Sequence, residues 1–147
     1  MNPANLEQSV LIHSACGGVG LAAMQIARML GADIFATVGR EDKVEYLMEK
    51  FQLPRSRILD SHSEAFVQGI MQETDNKGVD LVLNSLAGDL LHATWSCVAP
   101  FGKFVEIGKS DLQGCGKLDL NPFLANRSYH GVDLDAFIDL KPELITR

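Results

Sequence analysis

The chain has 147 residues, of which 46% are hydrophobic and 22% are charged, and this is typical of one globular domain. Its 13 Lys and Arg residues against 19 Asp and Glu residues give a net charge of -6, which argues against a nucleic-acid partner because phosphate backbones are bound by basic surfaces. No apolar run approaches the ~20 residues that cross a bilayer, so no membrane partner is expected.

The first half of the chain alternates short apolar runs with amphipathic stretches. Runs rich in β-branched residues predict strands, and apolar residues at helical spacing predict helices. The predicted strands are 9–13, 32–38 and 57–60, and the predicted helices cover 19–30, 44–51 and 66–70. Gly31 follows the first helix, where a glycine commonly ends one.

The second half continues the same alternation. The predicted elements are a strand at 79–84, a helix at 90–98, a turn at 100–102, a strand at 103–107, a loop at 109–121, a strand at 128–134 and a helix from Asp135. Strands that alternate with helices predict right-handed βαβ units and a parallel sheet that is covered on both faces. Six strands with a glycine-rich first turn predict a doubly wound α/β Rossmann fold with strand order 3-2-1-4-5-6.

The cysteines and the N-terminus indicate the compartment. Cys16, Cys97 and Cys115 form no CxxC pair and no metal-ligand spacing, so we expect free thiols and no bound metal. Residues 1–5 have neither the basic region nor the apolar region of a secretory signal. Both observations predict a cytoplasmic protein.

A glycine-rich turn follows the first predicted strand and opens the first helix. Residues 15–20, Ala-Cys-Gly-Gly-Val-Gly, match the pattern [GA]-x-G-x-x-G. Gly17 lets the backbone approach a pyrophosphate, and Gly20 lets helix and strand pack closely. The anion is then expected at the helix N-terminus. The alternative is a tight turn of an unrelated α/β protein, but the position between a strand and a helix favours dinucleotide binding.

The end of the second predicted strand favours NADP over NAD. An NAD site has Asp or Glu at this point to bind the ribose 2′-hydroxyl, whereas this strand ends at Gly39 and Arg40 without an acid. Arg40 and Lys43 are candidate partners of a 2′-phosphate, and the intervening Glu41 and Asp42 are expected to point elsewhere. The alternative is that both cations are ordinary exposed charges. The missing acid also argues against a methyltransferase.

Four stretches, 10–20, 35–39, 78–88 and 100–109, carry a resemblance to a known family. The chain resembles the cofactor-binding half of an enoyl reductase domain from a highly reducing, fungal-type polyketide synthase, in the zinc-free branch of the medium-chain dehydrogenase/reductase superfamily. This resemblance implies that NADPH delivers hydride to the β-carbon of an α,β-unsaturated thioester on an acyl carrier protein. A proton then reaches the α-carbon.

The resemblance also implies residue roles. Lys43 matches the lysine that binds the 2′-phosphate, and Lys109 and Asp135 match proposed proton donors. Without the resemblance, Lys109 would be interpreted as a solvated loop lysine and Asp135 as a helix N-cap, and His13 and His130 are expected to be structural. Motif and resemblance together predict cofactor contacts from Ala15, Gly17, Gly18, Val19, Gly20, Gly39, Arg40, Lys43, Asn84, Ser85, Leu86, Ile107 and Gly108.

Two departures from the family pattern limit the expected activity. Arg40 stands where relatives often have a small hydroxyl residue, and the family's amino-terminal substrate-binding half is absent from residues 1–147. We therefore expect an NADP-binding subdomain that is inactive alone, with the other synthase domains and a second copy in a homodimer as candidate partners. Alternatives are a free-standing quinone reductase relative and a non-catalytic scaffold domain, and the intact glycine loop argues against the scaffold.

Overall fold

One six-stranded parallel sheet organises the protein, as seen in a computed structural model that describes residues 8–145. The strand order is β3-β2-β1-β4-β5-β6, which confirms the predicted Rossmann fold. Residues 1–5, from which we predicted the absence of a secretory signal, lie outside the described residues. Among the residues described, no helix has the length and apolar character needed to span a membrane.

The elements alternate along the chain from strand to helix. The strands are β1 (Ser9–Ile12), β2 (Asp33–Val38), β3 (Ile58–Asp60), β4 (Val79–Asn84), β5 (Val98–Glu106) and β6 (Ser128–Gly131). The helices are α1 (Gly18–Met29), α2 (Glu41–Phe51), α3 (Phe66–Glu73), α4 (Asp89–Trp95), α5 (Ser110–Gln113) and α6 (Leu134–Leu140). Short 3₁₀ segments lie at Arg55–Arg57, Asn121–Asn126 and Pro142–Leu144.

Residues of β1 point alternately into two buried clusters, one on each face of the sheet. Val10 and Ile12 pack with Met24 of α1 on one face. Leu11 packs on the other face, in a cluster that includes Trp95 and Phe104. This alternation follows from the pleat of a strand, in which successive side chains point to opposite faces. Apolar packing on both faces explains why β1 is apolar throughout residues 10–12.

The strand β5 differs from its prediction. Residues 100–102 were predicted to form a turn before the strand, but β5 already begins at Val98 and runs through them. The register with β4 shifts at this point, because Val79 pairs with Val98 while Leu81 pairs with Lys103. Residues 99–102 of β5 therefore lie opposite the single residue Asp80 of β4 and form a bulge. Phe101, in this bulge, has φ +62° and is 74% exposed.

The C-terminal third also differs in its boundaries. The strand predicted over 128–134 ends at Gly131, and the predicted loop at 109–121 contains the short helix α5. Helix α6 begins at Leu134 because the carboxylate of Asp133 accepts a hydrogen bond from the backbone N–H of Asp135. The N-cap is therefore Asp133 and not Asp135.

Parallel strands bring their carboxyl ends to one edge of the sheet. Ile12 of β1 pairs with Ala36 of β2 on one side and with Leu83 of β4 on the other. The strand order reverses between β1 and β4, and ligands of open α/β sheets bind at such a switch point.

Candidate functional site

The glycine loop connects β1 to α1 at the switch point. Gly17 is the N-cap of α1, with φ −75°, and its backbone N–H donates to the Ser14 carbonyl at 2.9 Å. Ala15 N–H donates to the Thr37 carbonyl at 3.0 Å, which fastens the loop to β2. The first N–H groups of a helix have no acceptor within it, and they carry the positive end of its dipole. The loop therefore presents donors to an anion.

The space around the glycines fits a close backbone approach. A Cβ atom at Gly20 would lie 2.3 Å from the Ser14 carbonyl oxygen and 2.8 Å from the Ala15 Cα, so a side chain is excluded there. A Cβ at Gly18 would meet nothing within 4 Å. At Gly17 the Ser14 carbonyl oxygen would lie at 3.3 Å. The loop thus combines tight helix–strand packing with an open outer surface.

The tip of β2 carries the two predicted cations. The Arg40 guanidinium donates two hydrogen bonds to the Asp42 carboxylate, both at 3.1 Å, while Glu41 pairs with Arg55 at 3.6 Å. The expectation that Asp42 points away from the cations is therefore wrong, because the first turn of α2 brings its carboxylate back to its own N-cap residue. Arg40 is thereby paired with a neighbouring acid before any ligand binds.

Lys43 lies nearer to the glycine loop. Its carbonyl accepts a hydrogen bond from Cys16 Sγ at 3.9 Å, so the first turn of α2 contacts the loop. Burial raises the pKa of the Cys16 thiol, while the Lys43 charge acts to lower it. Lys43 is thus the cation whose field reaches the loop directly. Cys16, Cys97 and Cys115 are all free thiols.

His13 is buried at the end of β1, in a hydrogen-bonded position suited to the structural role we predicted for it. Its Nδ1 lies 2.8 Å from Thr37 Oγ1 and its Nε2 lies 2.9 Å from Thr94 Oγ1. Because the Thr94 hydroxyl already donates to the Leu90 carbonyl at 2.6 Å, it accepts from Nε2–H, and Nδ1 accepts from Thr37. This neutral histidine joins β1, β2 and α4 beneath the glycine loop.

The burial of His13 predicts a loss of stability in acid. Desolvation lowers its pKa from 6.5 to about 3, so the unfolded chain binds a proton below pH 6.5 that the folded chain does not. The free energy of unfolding should therefore fall with decreasing pH in this window, by about 1.4 kcal/mol per pH unit from this group.

Urea denaturation at about pH 7 and about pH 4.5 tests this, because wild type should lose about 2–3 kcal/mol more than His13→Gln over that interval. His92→Gln, at an exposed histidine of α4, is the matched control for the substitution. Equal pH dependence of wild type and His13→Gln would contradict the prediction.

A polar cluster joins the ends of β4 and β5. Asn84 and Glu106 are paired in the register, and Asn84 Nδ2 donates to Glu106 Oε2 at 2.7 Å and to the Leu86 carbonyl at 2.8 Å. Gly108 N–H donates to Glu106 Oε1 at 2.6 Å. Ile107 N–H donates to the Asn84 carbonyl at 3.0 Å. The predicted cofactor residues after β4 and after β5 therefore lie against each other.

The loop after β4 also reaches the loop after β1, through a hydrogen bond of 3.3 Å from Ser85 Oγ to Ser14 Oγ. We assigned no role to Glu106 from the sequence, although it is 1% exposed. The available signal was its position two residues after Phe104, which places a carboxylate on an apolar face of β5.

The two predicted catalytic residues meet at the end of the sheet. Lys109 Nζ pairs with the Asp135 carboxylate and lies 3.0 Å from Asp133 Oδ1. The hydrogen bonds that Lys109 donates to Asp135 and Asp133 raise the pKa of Lys109, and Lys109 lowers the pKa of Asp133. His130 is exposed on β6, opposite Val105. The arrangement holds an ammonium group between two carboxylates at the carboxyl edge.

Comparison with known proteins gives one consistent family. Residues 18–140 match the zinc-binding dehydrogenase family. The chain is 64% identical to highly reducing polyketide synthase sphB of Aspergillus fumigatus over 87% of its own length and 5% of the synthase. It is 53% identical to the synthase lcsB of Purpureocillium lilacinum over its whole length, which is 6% of that protein. The chain thus spans a small part of these curated relatives.

Solved structures agree with this. The nucleotide-binding subdomain of the enoylreductase domain of PpsC from Mycobacterium tuberculosis is 41% identical, with a TM-score of 0.86, and the match covers 94% of this chain and 75% of that one. The CurK enoyl reductase is 38% identical, with a TM-score of 0.79, over 96% of this chain and 41% of that one.

Proposed function

Because the chain belongs to the zinc-binding dehydrogenase family and, within it, to the enoyl reductase domains of polyketide synthases, we propose that it is the NADPH-binding subdomain of such a reductase. The observation that carries this proposal is the geometry of the glycine loop. A Cβ added at Gly20 would lie 2.3 Å from the Ser14 carbonyl oxygen, whereas a Cβ added at Gly18 would meet no atom within 4 Å. Backbone donors at a helix N-terminus are the groups that bind a pyrophosphate.

The charges at the tip of β2 support NADPH over NADH. No carboxylate ends the strand after Val38, so a ribose 2′-hydroxyl lacks its usual acceptor. Lys43 is half-buried beside the glycine loop, and its ammonium suits a 2′-phosphate. Arg40 can add to the site after releasing Asp42, which makes Lys43 the principal cation in this proposal.

Calorimetric titration of the chain with NADPH and NADH tests the proposed function. We expect tighter binding of NADPH, because its 2′-phosphate adds a charged hydrogen bond that NADH cannot make. Equal or tighter binding of NADH would overturn the cofactor assignment, and absence of binding to either would overturn the function.

The variant Lys43→Ala should weaken NADPH selectively. Loss of one hydrogen bond to a charged group is expected to cost ~1.5–3 kcal/mol of NADPH binding, while NADH binding stays nearly constant. Lys50→Ala, at an exposed lysine in the last turn of the same helix, is the matched control and should bind both cofactors as wild type does. Parallel losses for the two cofactors would instead indicate damage to α2.

We further propose the reduction of an α,β-unsaturated acyl thioester carried on an acyl carrier protein. When bound, NADPH supplies the hydride to the β-carbon. We propose that residues of this chain then deliver a proton to the α-carbon, and the candidates are Lys109 and Asp135. We propose that substrate contacts come from a further part of the synthase, which is supported by the share of 41% that the chain covers in the CurK enoyl reductase.

The ion pairs of Lys109 favour different roles for Lys109 and Asp135. The raised pKa of Lys109 keeps the side chain an ammonium group, which can stabilise a developing enolate oxygen, whereas the same rise makes the ammonium a weaker proton donor. Asp135 accepts from that ammonium and so orients it. We also propose that two copies of this subdomain associate as a homodimer.

A further inference from the structure

A single buried carboxylate connects the two loops that follow β4 and β5. Glu106 Oε2 accepts from Asn84 Nδ2 at 2.7 Å, and Glu106 Oε1 accepts from Gly108 N–H at 2.6 Å. The Tyr129 hydroxyl approaches Oε2 at 3.5 Å. Both oxygens therefore act as acceptors, and each one serves a different loop.

The loop after β5 is confined by this carboxylate. A Cβ at Gly108 would lie 2.8 Å from Glu106 Oε1 and 3.4 Å from the Ser85 carbonyl oxygen. Gly108 is thus pressed between the acid and the loop after β4. Asn84 in turn accepts from Leu86 N–H at 3.3 Å and donates to the Leu86 carbonyl at 2.8 Å, which closes a tight turn after β4.

The cluster is expensive for stability alone. Glu106 is 1% exposed, and its hydrogen-bond donors are an amide, a backbone N–H and a phenol, none of which is cationic. Burial raises the pKa of Glu106, because a carboxylate away from water is disfavoured. An apolar residue at this inward position of β5 would pack at no such cost. The two short hydrogen bonds of this carboxylate go to Asn84 and Gly108, so its effect on the structure falls on the loops after β4 and β5.

We propose that Glu106 is a positioning residue, which fixes the loops after β4 and β5 against the nicotinamide half of bound NADPH. The inference rests on the proposed NADPH binding. The pyrophosphate is assigned to the glycine loop and the 2′-phosphate to the tip of β2, and none of the hydrogen bonds of Glu106 described above reaches either. Because a doubly wound sheet binds one mononucleotide on each side of its switch point, the nicotinamide half falls to the side of β4 and β5. Loss of the Glu106 carboxylate should therefore affect one half of the cofactor only.

The variant Glu106→Gln tests this with two ligands. A glutamine amide has one acceptor oxygen and one NH₂ group, so it must present a donor either to Gly108 N–H or to the Asn84 NH₂ group. We expect calorimetry to show about a tenfold loss of NADPH affinity from this unsatisfied contact. ADP-ribose 2′-phosphate, which keeps the 2′-phosphate and the pyrophosphate but has no nicotinamide, should bind Glu106→Gln within about twofold of its affinity for wild type.

Two further variants keep the result interpretable if Glu106→Gln folds poorly. Gly108→Ala keeps the carboxylate but pushes the loops apart, and it should show the same selective loss of NADPH. Tyr129→Phe removes only the 3.5 Å contact and keeps the ring stacked on Phe104, so it should bind both ligands as wild type does. Thermal melting of each variant reports whether it is folded.

The outcomes separate the two proposals. Selective loss of NADPH in Glu106→Gln or Gly108→Ala supports the positioning role. Equal weakening of NADPH and ADP-ribose 2′-phosphate, or no change in either, overturns the positioning role while wild-type binding still supports the proposed function. Failure of wild type to bind NADPH overturns the proposed function, and the positioning role falls with it.

Discussion

The Gly17→Val variant is expected to lose NADPH binding while its fold survives. Gly17 is the extended N-cap of α1, a conformation that valine readily adopts, and its Cβ would meet only the Ser14 carbonyl oxygen at 3.3 Å. The valine methyl groups would occupy the surface that a pyrophosphate must approach. Loss of two charged hydrogen bonds corresponds to a fall in affinity of about a hundredfold or more.

Gly20→Val serves as the contrasting variant. A Cβ there would lie 2.3 Å from the Ser14 carbonyl oxygen, so this substitution should lower the melting temperature rather than act on the ligand alone. Calorimetry with NADPH and thermal melting on both variants give the comparison. If Gly17→Val binds NADPH as wild type does, the loop is only a tight βα turn.

The Lys109→Ala variant is expected to reduce kcat by ~10²–10⁴ in an enoyl reductase that contains this chain together with a substrate-binding part. Its NADPH affinity should stay nearly unchanged, because Lys109 pairs with Asp133 and Asp135 and not with the glycine loop. Following NADPH consumption with an enoyl thioester measures turnover, and calorimetry measures binding.

Lys109→Arg distinguishes the two roles of the cation. A guanidinium retains the charge but is a far weaker acid, so an electrostatic role preserves most turnover in Lys109→Arg and a proton-donor role does not. Adding Asp135→Ala to Lys109→Ala should cost less than the product of the single effects, since the two groups contact each other. Wild-type turnover in Lys109→Ala would exclude a catalytic role, and affinity lost in proportion to rate would make it a binding residue.

The strand order was predicted from the alternation of strands with helices and from the glycine-rich first turn. The alternation of apolar runs with amphipathic stretches, together with the right-handedness of βαβ units, leaves few arrangements for six strands. The glycine motif then predicted where β1 ends and α1 begins, because closely packed turns of this kind require residues without side chains. These features depend on neighbours in the chain, and they were predicted correctly.

Boundaries were less predictable where a strand pairing or a side-chain contact overrides the local pattern. The bulge at Phe101 follows from the pairing of β5 with β4, and the start of α6 follows from the Asp133 cap. The ion pair of Arg40 with Asp42 likewise depends on the direction of two long side chains at the first turn of α2. Composition and periodicity contain no information about such directions.

The contacts of the candidate site depended on the folded chain. Lys109 and Asp135 are 26 positions apart, and they meet only because β5 and β6 end at the same edge. The sequence shows Glu106 only as a carboxylate on an apolar face of a strand, but in the fold it is buried against Asn84 of β4, Gly108 and Tyr129 of β6. Long-range contacts arise from the paths of several loops at once, so the burial of this carboxylate and its hydrogen bonds to two loops were visible only in three dimensions.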